Sequence, residues 1–464
     1  MTLNTSGPSP GKALVVKARR VLLIWPKART DPDWGGDLGA IAEPLALEYL
    51  AAGLESQGHS VKILDLRLHP NDLDMTVNEF NPEYVGITAF SMHVRAALQI
   101  GLRVKAISKV CNVVVGGHHA TFLPEDFFEP QIDFVVTGEG VEPFTQLVDA
   151  NDGGEGARYP NIPGLWYRSN GYFVPGIGNR SLTLDSLPTP ARHLTQSDRH
   201  RYFIDWMSPV ASIRSTMGCP YRCTFCSLWQ LNGGRYYRRS VNDFVIELAN
   251  IDEEFVFLID DEAFVNKQRM LTLAAQLAES KVRKRIFAYA RVDTIIRQRE
   301  VLEVWRHIGL ERLMVGIDAT SPKDLVEYNK GYELSQIERA LRIADGLDIE
   351  ILAQFVINTD YHRKDFDRLA RFIEHNKIRY PSFTVLTPLP GTPLLANFKK
   401  ITALQENGRP DWDIFDTQNA VTATAMHPDE FRTAYRALFK KFNGAYTVFR
   451  NQAGMRRISL NNSL

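Results

Sequence analysis

At 464 residues the chain is long enough for two or three domains. Hydrophobic residues make up 44% and charged residues 23%, the composition of a globular protein with sizeable cores rather than of a disordered or fibrous one. Lys+Arg and Asp+Glu both number 54, so the formal charge is zero and nothing indicates nucleic acid as a partner. The opening residues MTLNTSGPSPGK carry neither the charged start nor the apolar core of a signal peptide. No apolar run is long enough for a transmembrane segment. Four cysteines, three of them clustered, argue against a disulfide framework and for a reducing, cytoplasmic compartment.

Residues 1–150 alternate short β-like runs with amphipathic stretches. VLLIW, VKILDL, YVGITAF, NVVVGG and FVVTGEG read as buried parallel strands. EPLALEYLAAGLESQG has helical spacing and stops at Gly58, a suitable C-terminal cap. The pattern is that of an α/β, doubly wound (Rossmann-like) sheet, whose ligand lies beyond the carboxyl ends of the strands. Gly116, Gly117, Gly138 and Gly140 fall at those ends, with His118, His119 and Glu139 among them. Glycine there lets backbone approach a large ligand, although tight turns need glycine as well.

From 151 to 209 the pattern breaks, with NDGGEG, a hairpin at RSNG and the prolines of SLPTPAR, and the segment reads as a linker. Strand-like runs resume in 210–397: VASIRS, FVFLID, IFAYAR, RLMVGI, ILAQFVI and FTVLTP, separated by helical stretches. Six β/α repeats predict a partial, open barrel, with its active site at the carboxyl ends of the strands. The C-terminal extension, 398–464, is mixed and is expected to cover one mouth of that barrel.

The loop after the first of these strands is CPYRCTFC, which places Cys219, Cys223 and Cys226 together. Thiolates are soft ligands suited to an inorganic cluster. A closed zinc site takes four ligands, and this segment offers no fourth. Cys111, in an apolar run far upstream, reads as a small buried hydrophobe.

The cysteine spacing, the apolar run VASIRSTMG before it and Phe225 beside Cys226 closely resemble the signature of radical S-adenosylmethionine (radical SAM) enzymes. The resemblance implies a [4Fe–4S] cluster on the three cysteines, with S-adenosylmethionine on the open iron and reductive cleavage to a 5′-deoxyadenosyl radical. It further implies an electron donor such as flavodoxin or ferredoxin. By the same resemblance Asp260, Asp261 and Glu262 of LIDDEAF are candidates for the cosubstrate amine, Arg291 for its carboxylate and Asp318 for the ribose. Asp318 stands where the family usually has glutamate. LTPLPGTP resembles the turn whose backbone lies near the adenine. Read without the family, adjacent acids can simply cap a following helix.

The N-terminal stretch is similar to the cobalamin-binding domain fused to one branch of these enzymes, through EPLALEYLAAGLESQGHSVKILDL, VGITAF, VVVGGHHAT and VVTGEG. Its DLRLHPND departs from the Asp-x-His-x-x-Gly loop of other cobalamin proteins, because His69 is displaced and the glycine is missing. The departure implies base-off cobalamin without His69 on cobalt, and leaves His118 and His119 as lining residues or as plain fold-stabilising ones. Within the branch, RYFIDWMSPVASIRSTMGCPYRCTFCSLW, GGRYYRRS, FLIDDEAF and DWDIFDTQNAV resemble the hopanoid C-3 methylase group. Together these likenesses imply a cobalamin-dependent C-methyltransferase acting on an unactivated carbon. A hopanoid-type lipid, collected at the membrane surface, and a soluble small molecule are the two substrate classes. Ring formation or rearrangement by the same cofactors, and a non-catalytic corrinoid or redox sensor, are the alternative functions. Trp229, Tyr236 and Tyr237 line an apolar channel in one reading and pack the cysteine loop in the other.

Overall fold

The computed structural model describes residues 17–29, 40–150, 159–178, 183–397, 401–443, 446–451 and 454–459. Two parallel sheets dominate it. In the first, strands beginning at Ser60, Arg20, Tyr84, Asn112 and Phe134 lie side by side in that order, all parallel. This is the doubly wound 2-1-3-4-5 arrangement, whose crevice opens where the chain reverses between Arg20–Trp25 and Tyr84–Thr88. The apolar runs form strands because both faces are covered. Leu22, Ile24, Val85 and Val113 face one core and Val21, Leu23 and Val114 the other. Helix Leu45–Ser56 ends as its glycine requires, since Gly58 has φ +84° and His59 N–H donates back to Leu54.

The linker reading needs a correction. Leu165–Ser169 and Tyr172–Pro175 form the expected hairpin, turning at Asn170 and Gly171, both with positive φ. Leu165–Ser169 then pairs antiparallel with Phe134–Val136, so the hairpin belongs to the first sheet. A strand of three residues needs that cover on its free edge.

The second sheet holds six parallel strands in chain order: Val210–Ile213, Phe255–Leu258, Arg285–Ala290, Leu310–Asp318, Glu350–Ile357 and Tyr380–Val385. It is an open barrel. Outward side chains such as Val256, Leu258, Ala288 and Val315 pack under the helices. The alternate set, Phe257, Phe287, Met314 and Leu352 with Met207, fills the lumen. Described residues of the extension reach the carboxyl ends of the last two barrel strands, where Val385 N donates to Thr417 O (2.6 Å) and Ala425 N to Thr359 O (2.9 Å). Helix Pro428–Asn443 lies along the barrel's last strand, where Tyr435 Oη donates to Phe383 O (3.0 Å), and so seals the open edge. Residues 401–421 cross back to the first sheet, whose core Trp412, Phe415 and Val421 complete.

Arginines from the connecting segment clamp the two units. Arg192 bonds Glu43 (2.5 Å) on the first unit and Glu247 (2.6 Å) on the second; Arg199 joins Glu43 (2.7 Å) to Glu253. Thr195 Oγ1 donates to buried Glu48 (2.6 Å). Removing one member of such a buried set strands the others, which fixes the mutual orientation of the sheets. Among the described residues no helix is long and apolar enough to cross a membrane.

Candidate active site

The three clustered cysteines lie between the short strand Thr216–Met217 and helix Leu228–Leu231, at the carboxyl end of the first barrel strand. Two acids from the next strand hold the approach to this loop. Asp260, wholly buried, accepts from Ser215 N (2.7 Å), Ser215 Oγ (2.5 Å) and Thr216 N (2.9 Å). Asp261 accepts from Gly218 N (2.7 Å), directly before Cys219. Gly218 has φ +93°, and a β-carbon there would lie 2.1 Å from Arg235 O. Asp260 thus shapes the loop through these three donors. Asp261 shares that duty.

Burial pushes the Cys219 thiol up to about 12 and Cys226 up to about 11. Such thiols ionise only beside strong positive charge, which an iron cluster supplies. Among the described residues no three His, Cys, Asp or Glu side chains are arranged around a single metal ion. A multi-iron cluster, with each thiolate on its own iron, asks for a wider set, and the three soft donors of this loop suit it. Trp229 Nε1 donates to Cys223 O (3.3 Å) within the loop, and Tyr236 Oη donates to Glu262 O (3.4 Å), tying the segment after the loop to the barrel.

Arg291 lies against the cysteine loop. Its Nη1 lies 3.4 Å from Cys223 Sγ, Nη2 donates to Lys330 O (2.5 Å) and Nε to Asp293 (3.0 Å). The guanidinium stacks 3.7 Å from the Tyr221 ring centre. With these partners, and buried, it braces the cysteine loop. Asp318 has φ +64° at a register shift ending its strand, and its carboxylate is paired with Lys330. Lys330 is a buried cation that the sequence did not mark, since it sits in a connecting turn with no motif around it. Glu262 is buried too; it accepts from Arg291 N (3.3 Å), and burial raises it to about 7. Burial raises its neighbours Asp260 and Asp261 as well, so this acidic run as a whole is pushed toward its protonated form.

Across from this loop stand the strand ends of the first sheet. Trp25, Phe90, His93, His118 and Phe122 form a chain of rings, with Phe90 stacked on His118 at 6.0 Å and His118 edge-on to Phe122 at 5.3 Å. Phe90 is 41% exposed, which gives this aromatic face to the crevice. Gly116 ends its strand under Val136, while Gly117 has φ +102° and a β-carbon there would meet Ala89 N at 2.8 Å. That tight turn delivers His118 to the cysteine loop: its Nε2 is 2.7 Å from Ser227 Oγ, one residue past Cys226. Beside it, a β-carbon on Gly391 of the LPGTP turn would meet the Phe122 ring at 2.4 Å. A glycine crevice, an aromatic face and an adjoining cysteine loop make a cradle fit for a large planar group.

The neighbouring candidates do other work. His119 is wholly buried, with Nδ1 on Ser91 Oγ (3.0 Å), Nε2 on Asp126 (2.9 Å) and its ring against Trp412. Both nitrogens are used, so it stabilises the fold and lines nothing. Gly138 N donates to Thr121 Oγ1 (2.8 Å), and Glu139 accepts from Val141 N (2.8 Å) to cap the next helix. Glu139 lines a cavity of about 420 Å³ beside Gly53 and Thr145, away from the cysteines, and Gly140 packs on Leu50. His69 is held by Asp198 (2.9 Å). Cobalamin bound to the His69→Ala variant is accordingly expected to keep an unchanged base-off absorption spectrum; a shift would put His69 on cobalt.

Burial depresses His93 and His118 to about 4. Between their ordinary value of about 6.5 and about 4, the unfolded chain binds protons that the folded chain rejects. Their contribution to stability is full above about 6.5 and is lost as pH falls through this window. Glu48, raised to about 7 mainly by burial, runs the opposite way, its stabilisation fading as pH rises toward 7. In thermal melts the His93→Gln/His118→Gln double variant is expected to lose less stability than the wild type between pH 6.5 and 4. Parallel curves would contradict the assignment.

The family profile described as B12 binding domain matches residues 34–148, and that of the Radical SAM superfamily matches residues 213–408. The chain is 28% identical to the hopanoid C-3 methylase of Methylococcus capsulatus over 422 residues, covering 87% of this chain and 77% of the relative. It is 30% identical to an uncharacterized methyltransferase of Pyrococcus horikoshii over 391 residues, covering 82% and 83%. Its fold is similar to that of the radical S-adenosylmethionine methyltransferase TsrM from Kitasatospora setae, with TM-score 0.68 and 20% identity, over 91% of this chain and 89% of that one.

Proposed function

The chain belongs to the cobalamin-dependent radical S-adenosylmethionine enzymes, and we infer that within them it methylates an unactivated carbon of an apolar substrate. It is a C-methyltransferase whose cofactors are a [4Fe–4S] cluster, S-adenosylmethionine and cobalamin. When bound, the cluster supplies the electron that cleaves S-adenosylmethionine and cobalamin carries the methyl group.

The observation that carries the residue-level reading is the His118–Ser227 contact, which seats the glycine crevice directly on the cysteine loop. In this reading Cys219, Cys223 and Cys226 hold the cluster, and Asp260, Asp261 and Arg291 hold the cysteines. Gly116, Gly117 and the Phe90–His118 face take the corrin ring. Glu262, raised by burial to about 7, is a group able to hold or release a proton near neutral pH. His118, kept neutral, brings no second charge to the seam between the cofactors.

The lumen supports an apolar substrate. Phe257 stacks on Phe287 at 4.8 Å, with Met314 and Leu352 beside them, and the adjacent buried Arg312 guanidinium, 5.8 Å from the Phe287 ring centre, is paired with Asp205 and Glu350, so the floor under the strand ends is mainly apolar. A hopanoid-type lipid fits such a floor and the likeness to the hopanoid C-3 methylase; a soluble polycyclic intermediate is the other class. An electron carrier protein completes the set of partners. Comparative metabolite profiling with methyl-labelled methionine, in cells with and without the gene, decides the substrate. A labelled lipid supports the reading, a labelled water-soluble product replaces the substrate class, and a product without the label removes methylation itself.

A further inference from the structure

The inner side of the cysteine loop faces the first sheet through Ser227, and its outer side faces solvent with an uncompensated charge. From Cys219 to Ser240 the chain carries four arginines and no aspartate or glutamate. Arg239 is buried on Glu247, whereas Arg222, Arg235 and Arg238 are exposed and have no ion-pair partner among the described residues. Arg222 lies 4.6 Å over the Trp229 ring and reaches Gly234, where a β-carbon would meet its Nη2 at 2.7 Å, so it sits next to Arg235. Arg238 follows on the short strand paired with Thr216 and Met217, the approach to Cys219. Arg297 extends the surface: its Nη2 is 2.6 Å from Tyr221 Oη, and Asp293 only partly offsets it. Acids bordering the surface include Asp185, bonded to Ser240 N (2.5 Å), exposed Asp243, whose N–H donates to Ser240 Oγ (3.4 Å), and Glu327, whose carbonyl accepts from Thr224 Oγ1 (3.0 Å). In a chain of zero formal charge this is a local feature, not general basicity.

We propose that Arg222, Arg235 and Arg238 form the docking surface for a small acidic one-electron carrier protein. The proposal rests on the reading that Cys219, Cys223 and Cys226 hold the cluster. With the inner side of the loop occupied by the first sheet, an electron must arrive from outside, over these arginines. At docking the reduced carrier loses one electron and the cluster gains it, and no bond forms or breaks. Unpaired arginines steer an acidic partner over a Debye length and fix its orientation without a large apolar interface.

The test uses the reconstituted full chain, with reduced flavodoxin as the carrier and dithionite as a small reductant that needs no docking. In the Arg235→Glu/Arg238→Glu variant, which leaves the cysteine spacing untouched, iron content and the dithionite-driven yield of 5′-deoxyadenosine are expected to match wild type. Flavodoxin-driven kcat/KM is expected to fall by at least about tenfold, and the wild-type rate to fall as salt is raised. Salt-sensitive crosslinking of flavodoxin to the wild type, lost in the Arg222→Gln/Arg235→Gln variant, gives a second readout. A flavodoxin-driven rate that is unchanged in the variant, insensitive to salt, or reduced only in step with the dithionite rate overturns the docking surface. Wild type that cleaves S-adenosylmethionine with neither reductant overturns the cluster reading, and the docking surface with it.

Discussion

Alanine at Cys219, Cys223 or Cys226 is expected to abolish reductive cleavage of S-adenosylmethionine and to strip iron from the protein, while cobalamin binding survives. Each thiol is held in a loop pinned at several points, so no neighbouring donor can move in. Asp261 is committed to Gly218 N (2.7 Å), Asp260 to Ser215 and Thr216, and Arg291 to three partners around Cys223. The remaining cysteine, Cys111, is fully buried in the first sheet, far from the loop. The readouts are iron and sulfide content after anaerobic reconstitution, 5′-deoxyadenosine yield and the absorbance of bound cobalamin. An alanine variant that keeps both its iron and its cleavage activity would sink the ligand assignment. So would reconstituted wild type that carries zinc without sulfide.

The second large effect is expected at Asp260. Replacing it by alanine leaves Ser215 N, Thr216 N and the Ser215 hydroxyl without their acceptor in a fully buried site. Each stranded donor costs about 1–3 kcal/mol, so the barrel loses at least about 3 kcal/mol, a large part of a domain's stability. Iron retention should fall as well, because these residues set where Cys219 begins. Asp260→Asn, which keeps one carbonyl oxygen, should lie between the two. A cosubstrate-binding aspartate would behave differently, raising the S-adenosylmethionine requirement while leaving the melting temperature and iron content unchanged. Measuring all three quantities therefore separates the roles, and an Asp260→Ala protein that melts like wild type would refute the positioning role.

The sheets were legible because their strands are buried on both faces and read as unbroken apolar runs such as VLLIW and NVVVGG. Asn170–Gly171 announced a hairpin for an equally local reason, since both turn residues adopt positive φ. The partner of that hairpin was not legible: pairing with Phe134–Val136 depends on which edge lies free in space, which no local pattern encodes. The site divides in the same way. Spacing identifies the cysteines, and glycines at strand ends point to the crevice. The aspartates of LIDDEAF show their chemistry in the sequence but not their partners, so the three donors on Asp260 could not be read there. His118 and His119 are adjacent and alike in sequence. Only the backbone turn at Gly117 sends one to Ser227 and the other into the core beside Trp412.

The return of residues 401–421 to the first sheet has a consequence for synthesis. Domains emerge from the ribosome in chain order and tend to fold as units. Here the sheet made first leaves an apolar face around His119 and Phe127 uncovered until Trp412, Phe415 and Val421 arrive, after the whole barrel has been translated. The nascent amino-terminal half must therefore wait, incompletely sealed, until residues 401–421 emerge behind the barrel.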